Sequence, residues 1–95
     1  MDAKARKRKE WEAELKKLDA ELNLLRAKAE KAGAEAKVGY AQRMKELEKK
    51  RTGAESRLQK LLEAGDDARR DLSESVDKAM RDLKEGIESA KKRFK

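Results

Sequence analysis

Residues 11–25 read WEAELKKLDAELNLL, and apolar side chains recur in this stretch every three or four residues. This spacing places them on one side of an α-helix, because an α-helix has about 3.6 residues per turn. The alternation of four-residue and three-residue steps is typical of helices that pack as a left-handed coiled coil. The stretch therefore predicts an amphipathic helix that needs a partner helix. Its apolar positions are Trp11, Leu15, Leu18, Leu22 and Leu25.

The same pattern continues to Phe94 with one position per helical turn, and we call the whole series the seam. Only Arg51 and Gly65 in this series are not apolar. Three alanines in the middle of the chain make the seam narrow, from which we expect a close contact between helices. Tyr40 and Trp11 fit the pattern and are interpreted as packing residues rather than ligand-binding aromatics. Between Trp11–Leu25 and Phe94 the seam passes through Ala29, Ala32, Ala36, Tyr40, Met44, Leu47, Arg51, Ala54, Leu58, Leu61, Gly65, Ala68, Leu72, Val76, Ala79, Leu83, Ile87 and Ala90.

The last third of the chain contains an internal repeat of eleven residues. Residues 66–76 read DDARRDLSESV and residues 77–87 read DKAMRDLKEGI, so that Leu72 corresponds to Leu83 and Val76 to Ile87. Eleven residues over three turns is about 3.67 residues per turn, which favours a straight or slightly right-handed apolar stripe. The repeat therefore predicts a helix over residues 66–94.

Glycine is the residue at which such a helix is most readily interrupted, since the chain contains no proline. Gly65 can adopt the left-handed conformation that ends many helices, and the aspartates that follow it can cap the next one. We therefore predict an all-α hairpin, a long helix over residues 11–64 and a shorter one over 66–94, with Gly65 as the hinge. A turn at Gly53 and a single continuous rod are the alternatives. Residues 1–95 form one coiled-coil unit in this interpretation, residues 1–10 are its basic N-terminal segment, and Gly33, Gly39 and Gly86 lie inside helices.

The composition argues against catalysis. The chain has no histidine and no cysteine, which removes the usual general base, every thiol nucleophile and most metal sites. Its glycines form no phosphate-binding loop, and its carboxylates are interpreted as a solvated helix face. We predict no enzyme activity, no cofactor and no metal site. No run of three apolar residues occurs, so we predict no membrane span and a cytoplasmic protein.

The net charge of +7 is concentrated at the two ends of the chain. Nucleic-acid binding along a helix requires a stripe of cations, and the distribution along the chain does not indicate one. We therefore interpret the ends as solubilising, with an acidic partner as the alternative, and nucleic-acid binding as unlikely. The terminal cations are Lys4, Arg6, Lys7, Arg8 and Lys9 at one end and Lys91, Lys92, Arg93 and Lys95 at the other.

A hairpin that turns at Gly65 leaves the apolar edge of Trp11–Leu25 without a covering helix. An uncovered apolar edge favours association with a second chain. We therefore predict a homo-oligomer. The residues predicted to form its self-association seam are Trp11, Leu15, Leu18, Leu22, Leu25, Leu72, Val76, Leu83, Ile87 and Phe94.

Several segments resemble a family of small bacterial coiled-coil proteins that are associated with stress responses. They are Trp11–Leu25, KAGAEAKVGY at 31–40, AGDDARRDL at 64–72, KAMRDL at 78–83 and KKRFK at 91–95. Arg69 and Met80 stand where that family has tryptophan. The resemblance implies a cytosolic protein that is induced under stress and has no catalytic residues to carry over.

Together these patterns favour a non-enzymatic, self-associating coiled-coil protein with a structural, protective or protein-interaction role. The alternative is a helical protein that binds an anionic membrane surface through the amphipathic repeat of residues 66–95 and its basic tail. A weaker hypothesis is nonspecific nucleic-acid binding through the basic segment that begins at Lys4 and ends at Lys9.

Overall fold

The chain folds into three α-helices that pack side by side. The structure, a computed structural model, describes residues 3–94, and it describes side chains for residues 7–65 and 67–94. Helix α1 spans Ala3–Lys31, α2 spans Ala34–Glu63 and α3 spans Asp66–Arg93. Short connections reverse the chain twice, so α1 and α3 point the same way and α2 runs against both. The bundle measures 50 × 20 × 17 Å, and the prediction of an all-α protein is confirmed.

The prediction of one long helix over residues 11–64 is wrong, because the chain turns at Ala32 and Gly33. Gly33 is extended, with φ −64° and ψ 161°, and its carbonyl accepts hydrogen bonds from the amides of Ala36 and Lys37 at 3.1 and 2.9 Å. The seam residues around this turn are alanines, which bury too little apolar surface to hold a continuous helix against a partner. Gly33 is therefore a joint and not an interior glycine, and the continuous rod is excluded as well.

The chain also turns at Gly65, but its backbone differs from the predicted one. Gly65 precedes α3 in an extended conformation, with φ −74° and ψ 173°, so it does not adopt the left-handed conformation. The Arg69 side chain bridges the turn by donating its Nε–H to the carbonyl oxygen of Ala64 at 3.2 Å. Because any L-residue adopts such a backbone, an alanine at position 65 creates no strain. The steric penalty that a left-handed glycine would impose is therefore not expected.

The other three glycines lie inside helices, Gly39 and Gly53 in α2 and Gly86 in α3, and they differ in their surroundings. Gly53, the alternative site for the turn, lies within α2, and a Cβ added there meets nothing within 4 Å. Gly86 lies in α3 where that helix crosses α2, and a Cβ there would come within 2.7 Å of Cδ2 of Leu47. The absent side chain at Gly86 thus allows α2 and α3 to approach closely.

The core runs the length of the bundle and consists almost wholly of seam residues. All three helices contribute to it, and among the described side chains Met80 is the one buried residue that the seam does not include. The expected close contact at the central alanines is wrong, since Ala32 and Ala36 lie half-buried at the first turn. The core residues are Trp11, Leu15, Leu18, Leu22, Leu25, Ala29, Met44, Leu47, Ala54, Leu58, Leu61, Val76, Ala79, Met80, Leu83, Ile87, Ala90 and Phe94.

Candidate functional surface

The residues predicted to pair with a second chain lie inside this one. Nine of the ten are buried in the bundle core, and Leu72 is half-buried against it. The apolar edge of Trp11–Leu25 is covered by α2 and α3, so the uncovered edge expected from a two-helix hairpin does not exist. The two repeat units differ in burial, since Leu72 is partly exposed whereas its counterpart Leu83 is fully buried.

The aromatic residues are also engaged within the bundle. Trp11 donates its Nε1–H to Oδ1 of Asp77 on α3 at 2.8 Å, and the ammonium of Lys7 lies 5.5 Å from the centre of its ring. The ring of Tyr40 stacks on Phe94 with 4.1 Å between centroids. The Tyr40 hydroxyl donates a hydrogen bond to the carbonyl oxygen of Arg93 at 3.1 Å. These contacts hold the middle of α3 against α1 and its C-terminal end against α2.

Ion pairs join α1 to α2 along a shallow groove. Arg51, the charged member of the seam, donates Nε–H and Nη2–H to the two carboxylate oxygens of Asp19 at 2.8 and 3.0 Å, and it also pairs with Glu55. The hydrogen bond to Asp19 raises the pKa of Arg51 above its usual value. Further along the groove, Arg26 bonds Glu48 at 2.5 Å. The groove carboxylates Asp19 and Glu48 therefore already have cationic partners.

A similar ion pair joins α1 to α3 on the other flank. Lys91 lies 2.8 Å from Glu21 and 3.9 Å from Glu88, and the hydrogen bond to Glu21 raises the pKa of Lys91. The contribution of Lys91 to stability is thus present at neutral pH and is lost as the pH rises through its raised pKa. Carboxylates of α1 are accordingly engaged on both of its flanks.

The outward side of α1 has a different character. Successive residues of a helix are about 100° apart, so Lys16 and Lys17 bound a sector of roughly 100° on the side of α1 away from the core. This sector contains no carboxylate between residues 7 and 31. All of its residues in this range are exposed. We call this sector the lysine face, and it consists of Lys9, Ala13, Lys16, Lys17, Ala20, Leu24, Ala27 and Lys31.

The outward side of α3 provides the contrast. The residues opposite its core positions are four cations and four carboxylates, and each cation has an acidic neighbour of this set within one turn. They are Asp67, Arg70, Glu74, Lys78, Arg81, Glu85, Glu88 and Lys92. The outward side of α2 also lacks carboxylates between residues 36 and 62 and contains Lys45, Lys49 and Lys60. The lysine face, with four lysines, therefore carries the largest excess of positive charge among the outward sides of the three helices.

The lysine face is not evident from the charge of successive segments along the chain. The signal lies in the angle around the helix: Lys9 and Lys16 are seven residues apart, and Lys17, Leu24 and Lys31 are spaced by seven as well. Such spacing keeps residues on one side of a helix. The terminal cations that the sequence does indicate are described only in part, since Lys95 lies outside the described residues and the side chains of Lys4 and Arg6 are not described.

The described residues contain neither a metal-binding cluster nor a membrane-spanning helix. Within the ranges 7–65 and 67–94, no group of three or more histidine, cysteine, aspartate or glutamate side chains is placed to hold a metal ion. None of the helices over residues 3–94 is both long enough and apolar enough to cross a membrane.

Comparison with known proteins identifies no relative of this chain. No protein-family model matches the chain, and neither a curated protein nor a solved structure is similar to it. The resemblance to bacterial stress-response coiled-coil proteins therefore stays a prediction.

Proposed function

We propose that the protein is a non-enzymatic interaction protein whose folded bundle docks onto an extended anionic partner through the lysine face. The observation that carries the proposal is the carboxylate-free sector that extends from Lys9 to Lys31 on the outside of α1. At about 1.5 Å per residue, this sector is about 33 Å long. Lysines aligned over such a length attract a polyanion more strongly than the same charges interspersed with carboxylates.

Self-association through the seam is not part of this proposal. The seam residues are buried within a single chain, so a second chain can use them only if the bundle opens. The same holds for membrane binding through the apolar side of residues 66–95, because Val76, Leu83, Ile87 and Phe94 lie in the core. A structural or protective role in a bacterial stress response belongs to the proposal only through the family resemblance.

Retention on immobilised heparin tests the proposal, since heparin is an extended polyanion without lipid or bases. A face variant carries Gln at Lys9, Lys16, Lys17 and Lys31. We expect it to elute at clearly lower salt than the wild type, because four aligned charge contacts are lost.

The matched control places Gln at Arg70, Lys78, Arg81 and Lys92 on the outside of α3, which lowers the net charge by the same four units. If net charge alone governs retention, the two variants elute together, and the proposal is then wrong. Far-ultraviolet circular dichroism verifies that both variants keep the helical content of the wild type.

A further inference from the structure

The lysine face contains a feature that a purely electrostatic surface does not need. Leu24 lies between Lys17 and Lys31 at heptad spacing and is 66% exposed. Exposing a large apolar side chain in water is unfavourable. Among the described residues, the only other large hydrophobic residue with comparable exposure is Val38, which lies on the outside of α2. The apolar side chain thus lies within the carboxylate-free sector.

We propose that the anionic partner of the lysine face is a lipid membrane surface, into whose headgroup region Leu24 inserts. This inference rests on the proposed function and names the partner of the same surface. Lysine stems reach along a surface while their ammonium groups stay with the phosphates. A leucine between them enters the boundary between headgroups and acyl chains.

The shape of the surface fits a plane. The lysine face follows the outside of one helix, and the long axis of the bundle is 50 Å against 20 and 17 Å for the others. A membrane can therefore contact the whole face while the bundle lies flat on it. Ala13, Ala20 and Ala27, which are also seven residues apart, keep the surface between the lysines low. The helix backbone can thus approach the headgroups closely.

A nucleic acid is a less suitable partner for these residues. The face has no aromatic side chain on which a base could stack and no arginine or glutamine to bond base edges. Asn23, at its edge, already accepts a hydrogen bond from Nη1 of Arg26 at 2.8 Å. Trp11 is buried and bonded to Asp77, and Tyr40 is stacked on Phe94 and bonded to Arg93. A nucleic acid would contact only the lysines and would leave Leu24 without a role.

Docking in this way leaves the fold intact. The apolar side of α3 stays in the core, and the ion pairs of Asp19 and Glu21 lie on the flanks of α1 rather than on its outward side. The binding should be reversible and salt-dependent. Each lysine near an anionic surface strengthens binding by about fivefold, and a leucine that inserts partly adds about three- to tenfold over alanine.

Flotation with lipid vesicles tests the inference with the intact chain. We expect the wild type to float with vesicles of 70% phosphatidylcholine and 30% phosphatidylserine at low salt, and not with pure phosphatidylcholine. The face variant with Gln at the four lysines should bind at least about 100-fold more weakly. Leu24→Ala should weaken binding by about three- to tenfold. Val38→Ala, at a site of equal exposure on α2, should bind as the wild type does.

The outcomes separate this inference from the proposed function. Retention on heparin that depends on the lysine face, without vesicle binding, overturns the lipid assignment and leaves the proposed function standing. Equal vesicle binding by the wild type and Leu24→Ala also overturns it, as does tighter face-dependent binding to DNA than to vesicles. If the face variant matches its α3 control on heparin, the proposed function itself is wrong.

Discussion

Replacing Leu25 with alanine is expected to lower the free energy of unfolding by about 2–5 kcal/mol. Leu25 is 1% exposed and belongs to the core that all three helices share. Its truncation removes buried methyl groups and leaves a cavity in the bundle. Because small domains are stabilised by only about 5–15 kcal/mol in total, the loss should be evident in urea denaturation followed by circular dichroism.

Leu24 provides the matched control for this change, because it is the adjacent residue and undergoes the same chemical replacement. It is 66% exposed, so Leu24→Ala should change stability by less than about 0.5 kcal/mol. The two variants therefore separate two roles, since Leu25 supports the fold and Leu24 is proposed to take part in binding. Equal destabilisation by both replacements would show that α1 does not present this side to solvent.

Replacing Arg51 with glutamate is the second change for which we expect a large effect. The new carboxylate would lie beside Asp19 and Glu55, the two partners that Arg51 has in the native bundle. The loss of charge-assisted hydrogen bonds and the repulsion that replaces them should cost about 1–3 kcal/mol. Urea denaturation of the Arg51→Glu variant measures this cost.

The exchanged pair, Arg51→Glu combined with Asp19→Arg, tests the register of α1 against α2. If residues 19 and 51 face each other, the exchange restores an ion pair and should recover a large part of the lost stability. In a continuous helix the two residues would be about 48 Å apart, and the second replacement could not rescue the first. Additive losses in the double variant would contradict the turn at Gly33.

The seam explains how much of the fold the sequence determines. The apolar spacing identifies the helical conformation and nearly the whole core, because burial in a helical bundle follows one side of each helix. Met80 is buried although it does not belong to the seam. It follows Ala79 in the chain, and a spacing of one apolar residue per turn does not indicate its burial. The turn at Gly65 is indicated by glycine and the aspartates after it.

The turn at Gly33 could not be identified in the same way. Seam residues Ala29, Ala32 and Ala36 keep helical spacing across the interruption, so the periodicity shows no break where the chain reverses. Residue type is the available signal, since lysines at 28 and 31 suit a helix end and Glu35 suits a helix start. The ion pair of Arg51 depends on this turn as well, because Asp19 lies beside Arg51 only when the chain reverses at Gly33.

The lysine face could not be identified from the sequence for a related reason. The identity of a surface on a helical bundle depends on which side of each helix the core occupies, and that is known only when the number of helices is known. In a two-helix hairpin, the outward side and the apolar edge of Trp11–Leu25 are both uncovered. The apolar edge is then the stronger candidate for an interface. With three helices the apolar edge is covered, and the lysine face is the exposed outward side of α1.

Small-angle X-ray scattering of the intact chain in solution tests the central claim, that one chain buries its own seam and leaves the lysine face outside. The measurement gives particle mass and dimensions together. We predict the mass of a single chain, 10.9 kDa, a radius of gyration close to the 15.4 Å of the Cα trace and a longest dimension near 50 Å. A hairpin with a continuous helix over residues 11–64 would extend about 80 Å. A particle of that length, or one with the mass of two chains, would contradict the account.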